Sequence, residues 1–331
     1  MERKEWIDVM KGIGILSVVA GHIFTGFFHQ IIFLFHMPLF FFLGGYLFRK
    51  RDNFWEYFWT KVKHLLVPYS VFLILLYFPI FFPDKSNITL QGFAEYLIKP
   101  VIGGKLLVRH VGVFWFVTCF FLVQQIFNYI INKFQIKTIN WIVLIMLILS
   151  YINSLVFPDF WLPWNANVVF AALPVFYIGY RYKEENFQTS FSVLIALSII
   201  VIASSFYLQN NTYVMKVAFY GIPLFTLASG LILILMIVQI SKMLSNYKSI
   251  ALPFEKIGQA SMIIMFLHQP IQLYMAQKVS ENGILRFIIA IALSYLFYVL
   301  CRRFTITRAL FLGSKKDFDK VFNRIWKSRY V

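Results

Sequence analysis

Cysteine is nearly absent: Cys119 and Cys301 are the two thiols in 331 residues, and both lie in apolar stretches. Neither a disulfide framework nor a metal-ligand spacing can be built from them, so no metal is expected. Charge is scarce as well, at 14% of residues against about 25% in an ordinary soluble domain. That excludes a water-soluble enzyme and a disordered tail. Internal repeats and low-complexity linkers are also missing, which points to one membrane domain. A net charge of +17 often marks a nucleic-acid binder. A polytopic membrane protein reaches the same total by keeping Lys and Arg on its cytoplasmic side.

What is present is apolar surface: 60% hydrophobic residues, with 39 Phe, 18 Tyr and 8 Trp. At roughly 20 residues per crossing this supplies about ten transmembrane helices. Apolar windows fall at about 7–28, 31–48, 66–82, 112–131, 139–157, 166–180, 190–208, 216–240, 257–277 and 284–301. With the N-terminus inside, the inner segments hold 24 of the 31 Lys and Arg. The outer segments hold Lys85, Lys99, Lys105, Arg109, Lys216, Lys278 and Arg286. That bias predicts an all-α polytopic protein, N-in and C-in. Window 166–180 is short and contains Pro174, so nine or eleven spans stay open. The charged start Met1–Trp6 resembles a signal sequence, but Gly21-His22 interrupts the apolar run and no cleavage site follows, so the first span is expected to be uncleaved.

Two of the segments outside these windows are substantial. Residues 83–111 form an outer loop with Asn87, Gln91, Glu95, Gly103-Gly104 and Arg109-His110. Residues 304–331 form a basic tail beyond the membrane domain, 1–303. Phe318, Val321, Phe322, Ile325 and Trp326 recur there at helical spacing among Lys316, Lys320, Arg324 and Lys327. That is the pattern of an amphipathic helix on an anionic inner leaflet.

Ionisable groups within a span are expensive and usually functional. The first span carries Asp8, Lys11 and His22 on one helical stripe, with Lys11 and His22 about 16 Å apart along the axis. The second carries His36 in Phe35-His36-Met37-Pro38. A turn centred on His29 would bring His22 and His36 to one depth. Pro38 cannot donate to the carbonyl of Leu34, which predicts a local break at His36. His268 repeats the pattern with Pro270, and Ser261 shares its face. Three histidines at similar depth with few acids suggest a reaction chamber. The plain alternatives are histidines that hold helices together and a Lys11 that anchors the membrane edge beside Asp8.

The inner loop between spans two and three is strongly basic: Arg49, Lys50, Arg51, Lys61, Lys63 and His64, then Pro68-Tyr69. Topology alone accounts for such a patch. It also suits a phosphorylated cosubstrate, since Lys and Arg are the usual phosphate partners. Trp115, Trp161 and Trp164 fall near the outer interface, as belt residues or as platforms for a sugar ring.

The stretch Trp6-Ile7-Asp8, Lys11-Gly12, Gly21-His22, Phe35-His36-Met37-Pro38-Leu39-Phe40-Phe41 and Gly44-Gly45-Tyr46-Leu47-Phe48 resembles the N-terminal signature of acyltransferase family 3. Within that family it is most similar to the fucose 4-O-acetyltransferase-like branch. Pro68-Tyr69, Trp115-Phe116, Leu173-Pro174 with Gly179-Tyr180, and Ile257-Gly258 with Ser261 and Leu267-His268 extend the resemblance over nearly the whole membrane domain. It implies a multi-pass cell-membrane O-acyltransferase in stand-alone form. Such an enzyme moves acetyl from cytosolic acetyl-CoA, a cosubstrate rather than a tightly bound cofactor, to a hydroxyl of a surface glycan or its lipid-linked precursor. Lys11 and His22 match the family's spaced basic residue and histidine. Its paired basic residues before span three fall on Lys61, Lys63 and His64, where two arginines are usual, and Gly44-Gly45 stands where Ser-Gly is usual.

The expected division of labour puts Lys11, Arg49, Lys61, Lys63 and His64 at the CoA phosphates and His22 at the reacting carbonyl. His22 would serve as general base or as covalent acetyl carrier, with His36 or His268 orienting it or stabilising the oxyanion. The rival class is a transporter of a glycan-related or small solute with a histidine proton relay. The lack of repeats and the scarcity of intramembrane acids argue against it. A binding or regulatory membrane protein fits the composition but leaves the histidines unexplained. Lipid is an expected partner, and nucleic acid is not.

Overall fold

The computed structural model describes residues 5–81, 89–187 and 189–327, the last five of these by backbone alone. Among the described residues the chain is helical, with one isolated bridge between Val214 and Phe219 and no strand. The helices are α1 (Glu5–Gly21), α2 (Gly26–Leu47), α3 (Phe54–Lys61), α4 (Val67–Ile80), α5 (Leu90–Ile102), α6 (Trp115–Lys133), α7 (Ile136–Leu155) and α8 (Val169–Glu184). They continue with α9 (Phe191–Tyr207), α10 (Phe225–Ser245), α11 (Lys248–Gln259), α12 (Ser261–Lys278), α13 (Gly283–Cys301), α14 (Thr305–Phe311) and α15 (Lys315–Lys327).

Each apolar window holds a helix, but the windows are not equal. Among the described residues six helices are long and apolar enough to cross a membrane, or seven if α11 and α12, bent by 73° at their junction, form one span. α1, α8 and α9 are shorter, at 17, 16 and 17 residues. The chain is a multi-pass membrane protein. The eighth window is displaced: residues 216–224 form turns, and the helix begins at Phe225. Lys216 therefore lies outside any span. The outer loop is partly helical, since α5 fills Leu90–Ile102 and turns its apolar side chains outward.

Glycines set the closest helix crossings. A Cβ on Gly258 of α11 would fall 1.9 Å from the carbonyl oxygen of Asp8, and one on Gly12 of α1 would fall 2.2 Å from that of Phe254. At the crossing of α2 and α8, a Cβ on Gly45 would sit 1.7 Å from Phe176 O, and one on Gly179 would sit 2.0 Å from Phe42 O. In lipid, where burial does not drive helices together, such backbone contact supplies the packing energy. The motif glycines thus position the scaffold that carries the site.

Two apolar clusters result. One gathers α2, α6, α8 and α10, and the other gathers α1, α4, α6 and α12. Met37, Phe40, Phe116 and Phe120 touch both. The main cavity lies along that seam.

α3 passes into α4 through a π-helical turn, Val62–Leu66, that contains Lys63 and His64. Pro68 has no N–H to offer the carbonyl of His64, which breaks the ordinary α register there. The tail docks at this turn. Gly313, at φ +59°, packs on the backbone of His64, and His64 Nδ1 lies 3.2 Å from the Gly313 carbonyl. Lys63 pairs with Asp319 and lies over the Phe318 ring. Arg308 holds Asp317 at 2.9 and 3.0 Å, and this keeps the Asp317 carboxyl down at about 2. The tail is helical as its periodicity predicts, and its first turns bind protein through these contacts. The side chains of Arg324, Ile325, Trp326 and Lys327, like Lys85 and Asn87 of the outer loop, lie outside the described residues.

Candidate active site

α1 ends at Gly21, and the chain turns through residues 22–25 to Gly26, whose φ of +75° suits glycine. The hairpin is therefore tighter than the sequence suggests, and its centre is not His29, which lies inside α2 with its ring stacked on Phe33. The register follows from packing. Gly21 meets Ile32 and Phe33, and Gly14 meets Leu39 and Phe40. His36 then comes opposite Val18, four residues and about 6 Å below His22. The expected equal depth of His22 and His36 is not found.

The residue level with His22 is His268, whose ring centroid lies 5.4 Å away. His268 is fully buried, and its Nδ1 is 2.8 Å from the carbonyl of Ile264. His36 repeats the geometry at 2.9 Å to Ile32 O. An imidazole nitrogen facing a carbonyl must carry a proton, so in the neutral form of each ring Nε2 is the acceptor. Nε2 of His268 has no hydrogen-bond partner among the described residues. The expected break at His36 does not occur: α2 and α12 run helical through Pro38 and Pro270. The carbonyl that Pro38 frees, Leu34 O, instead faces Gly230 of α10, where a Cβ would approach it to 2.5 Å.

A cavity of about 1010 Å³ runs along the seam. Near one end it is lined by Lys11, Arg49, Arg51, Glu56, Tyr57, Thr60, Lys61, His64, Ser261 and Lys315. His22 and His36 face its middle, between the aromatic walls of Phe33, Phe40, Trp115, Phe116 and Phe120. Arg109, Gly112, Tyr213–Val217, Gln269 and Gln272 line the far end. His22 is half-buried with its open face on this space, and His36 is 3% exposed. α1 itself spans the distance from Lys11 to His22, about 16 Å.

The sequence-predicted residues divide accordingly. Lys11, His22, His36, Arg49, Lys61 and His64 share the one cavity. His268 stands behind His22, off the cavity wall. Asp8, 3.4 Å from the Lys11 ammonium, faces a second cavity of about 430 Å³ beside Lys11, His64 and Ser261. Lys63 is on neither wall, because Asp319 and Phe318 hold it in the tail contact. Trp115 is a buried wall residue rather than a membrane-belt one. Trp161 bonds Asn165 at 2.7 Å and Trp164 bonds Val101 O at 2.9 Å. Sequence reasoning missed Tyr57, Thr60 and Lys315, which reach the basic end from α3 and the tail, and Gln269 and Gln272 at the far end. Gln269 and Gln272 sit one and four residues beyond His268, on a helix already singled out. Among the described residues no three His, Cys, Asp or Glu side chains gather as a metal site.

The fold and site define a class: a multi-pass helical membrane protein with a polar, histidine-bearing cavity buried in its bundle. Residues 4–303 match the model of the acyltransferase domain of acyltransferase family 3, and the chain belongs to that family. No curated protein and no solved structure matches it.

Proposed function

We propose that the chain is an O-acetyltransferase that takes acetyl from acetyl-CoA at the Lys11 end of the cavity and delivers it to a glycan hydroxyl entering from the other end. The observation that carries this reading is the single cavity joining a cationic mouth to His22. In this reading α1, α8 and α9 cross the membrane with the other spans, ten in all. The N-terminus is cytoplasmic, so the basic end faces the cytosol, and the membrane is the cell membrane. Arg49, Arg51, Lys61 and Lys315 hold the phosphates of CoA as charge-assisted partners, and Lys11 stands where the pantetheine arm enters. The arm's length matches the distance to His22, which brings the thioester carbonyl to the imidazole.

His22 takes the proton of the acceptor hydroxyl. The acceptor oxygen bonds to the thioester carbonyl carbon, the C–S bond breaks, and the CoA thiolate leaves with the proton that the imidazolium returns. His36, one turn below, offers Nε2 toward the same space. His268 acts through His22 and is a positioning residue. The acceptor is a surface polysaccharide or its lipid-linked precursor, in keeping with the resemblance to the fucose acetyltransferase-like branch.

The test uses the full chain in proteoliposomes with labelled acetyl-CoA, reading acetyl transfer to added glycan and release of CoA thiol. Acceptor-dependent release of both products supports the reading. An acetyl-histidine trapped without acceptor assigns the covalent route, and proton-coupled solute uptake without transfer contradicts acyl transfer altogether.

A further inference from the structure

The far end of the cavity carries charge that the acetyl-CoA end does not need. Arg109 and Lys216 both line it. Arg286, one layer back on α13, donates to Gln272, which in turn donates to Gln269 at 2.7 Å, and both glutamines face the cavity. Glu56 is the single carboxylate on the described cavity wall, and it lies at the opposite end. Lys216 lines the same cavity as His22.

The backbone around these cations is strained. Arg109, Trp164, Asn165 and Ala218 all take positive φ, at 50°, 61°, 56° and 54°. The strained residues are also bonded to one another's segments. Asn165 donates to the Lys216 carbonyl at 2.8 Å, Trp161 donates to Asn165, Thr118 donates to the Trp164 carbonyl at 3.2 Å, and Lys216 Nζ donates to Leu107 O at 2.6 Å. Such strain costs energy and persists where the surroundings impose it, most often at ligand sites. Here it fixes a half-buried ammonium and a guanidinium at the cavity mouth.

We infer that the Arg109–Lys216 end binds an acceptor carrying a phosphate group, which these two cations hold while the acceptor's hydroxyl reaches His22. This rests on the acetyl-transfer reading for its purpose, but the binding site itself does not depend on it. The phosphate belongs either to a lipid-carried sugar or to a free phosphorylated polyol, and the two sources share one recognition chemistry.

The test is direct binding to the full chain in nanodiscs, with glycerol phosphate as the soluble probe and polyprenyl phosphate as the lipid probe. Wild type binds at least one. Arg109→Gln and Lys216→Gln each weaken that binding on the order of tenfold, as loss of a charge-assisted partner does. Lys216→Arg, which keeps the charge, retains binding. Arg109 is exposed, so its variant tests the site without disturbing the core. Binding of both probes names the phosphate alone, and binding of polyprenyl phosphate only names a lipid-linked acceptor. The inference is overturned if wild type binds neither probe, or if binding survives in Arg109→Gln and Lys216→Gln but falls in Lys61→Gln. Phosphate binding that depends on Arg109 and Lys216, in a protein that transfers no acetyl group, would leave this site standing and remove the acetyltransferase reading. Acetyl transfer with probe binding indifferent to Arg109 and Lys216 would do the reverse.

Discussion

His22, in the turn that follows α1, and His268, midway along α12, are 246 positions apart in the sequence, and their rings lie 5.4 Å apart. The carbonyl of Ile264 holds a proton of His268 on Nδ1, at 2.8 Å, so the His22 ring packs beside an imidazole of set orientation. Replacing His268 by Ala therefore lowers kcat on the order of tenfold to a hundredfold with little change in the KM for acetyl-CoA, because the base loses its alignment and the donor site is untouched. A purely structural role would instead lower the amount of folded protein and leave kcat per folded molecule unchanged.

The cationic mouth predicts a different signature. Arg51→Ala and Lys61→Ala raise the KM for acetyl-CoA, roughly tenfold each, and reduce its dependence on ionic strength. Lys63→Ala leaves that KM unaltered, since Lys63 serves the tail through Asp319. Steady-state kinetics at two salt concentrations separate the three, and a Lys63 effect as large as that of Lys61 would contradict the assignment.

Much of this was legible in the residues, for identifiable reasons. Apolar windows placed the helices because a span must satisfy its own backbone, and the intramembrane cost of charge singled out Lys11, His22 and His36. What the pattern could not show was register. The turn after Gly21 depends on Gly26 taking positive φ, and the level of His36 depends on Gly14 and Gly21 packing against α2. Neither can be read from hydrophobicity. The tail contact was hidden for a similar reason: Lys63 and Asp319 are far apart in sequence, and the π turn that presents His64 arises from the missing N–H of Pro68. The length of α1, α8 and α9 likewise follows from local breaks inside continuous apolar runs.

The glycine crossings make a stability prediction. Gly258→Leu or Gly45→Leu drives a side chain into backbone that already lies in contact, and costs about 1–3 kcal/mol or more. Thermal unfolding in detergent reads this as a lowered Tm. Gly26→Ala, which has nothing within 4 Å of its Cβ, is penalised by its backbone angle alone and loses less.

Lys216 carries a pH prediction. It lies in a turn outside the spans, and burial lowers its ammonium to about 8. Of the charged groups near it, Arg109 keeps its charge throughout and His22 shares the cavity. Lys216 is a cation below about pH 8 and becomes neutral above, so affinity for glycerol phosphate is full at neutral pH and falls as pH rises through that value. Lys216→Arg abolishes the alkaline fall while Arg109→Gln keeps it. Binding titrations from about pH 7 to about pH 9 check this, and parallel profiles for wild type and Lys216→Arg would exclude Lys216 as the titrating group.

The claim on which the rest depends is that His22 performs the transfer inside this cavity. The direct measurement is the O-acetyl content of surface glycan, by NMR, in cells carrying wild type, His22→Ala or no copy, with equal amounts of protein in the membrane. The account predicts that His22→Ala falls to the level of the deletion, the lost signal identifying the acceptor position. Full acetylation in His22→Ala would contradict it.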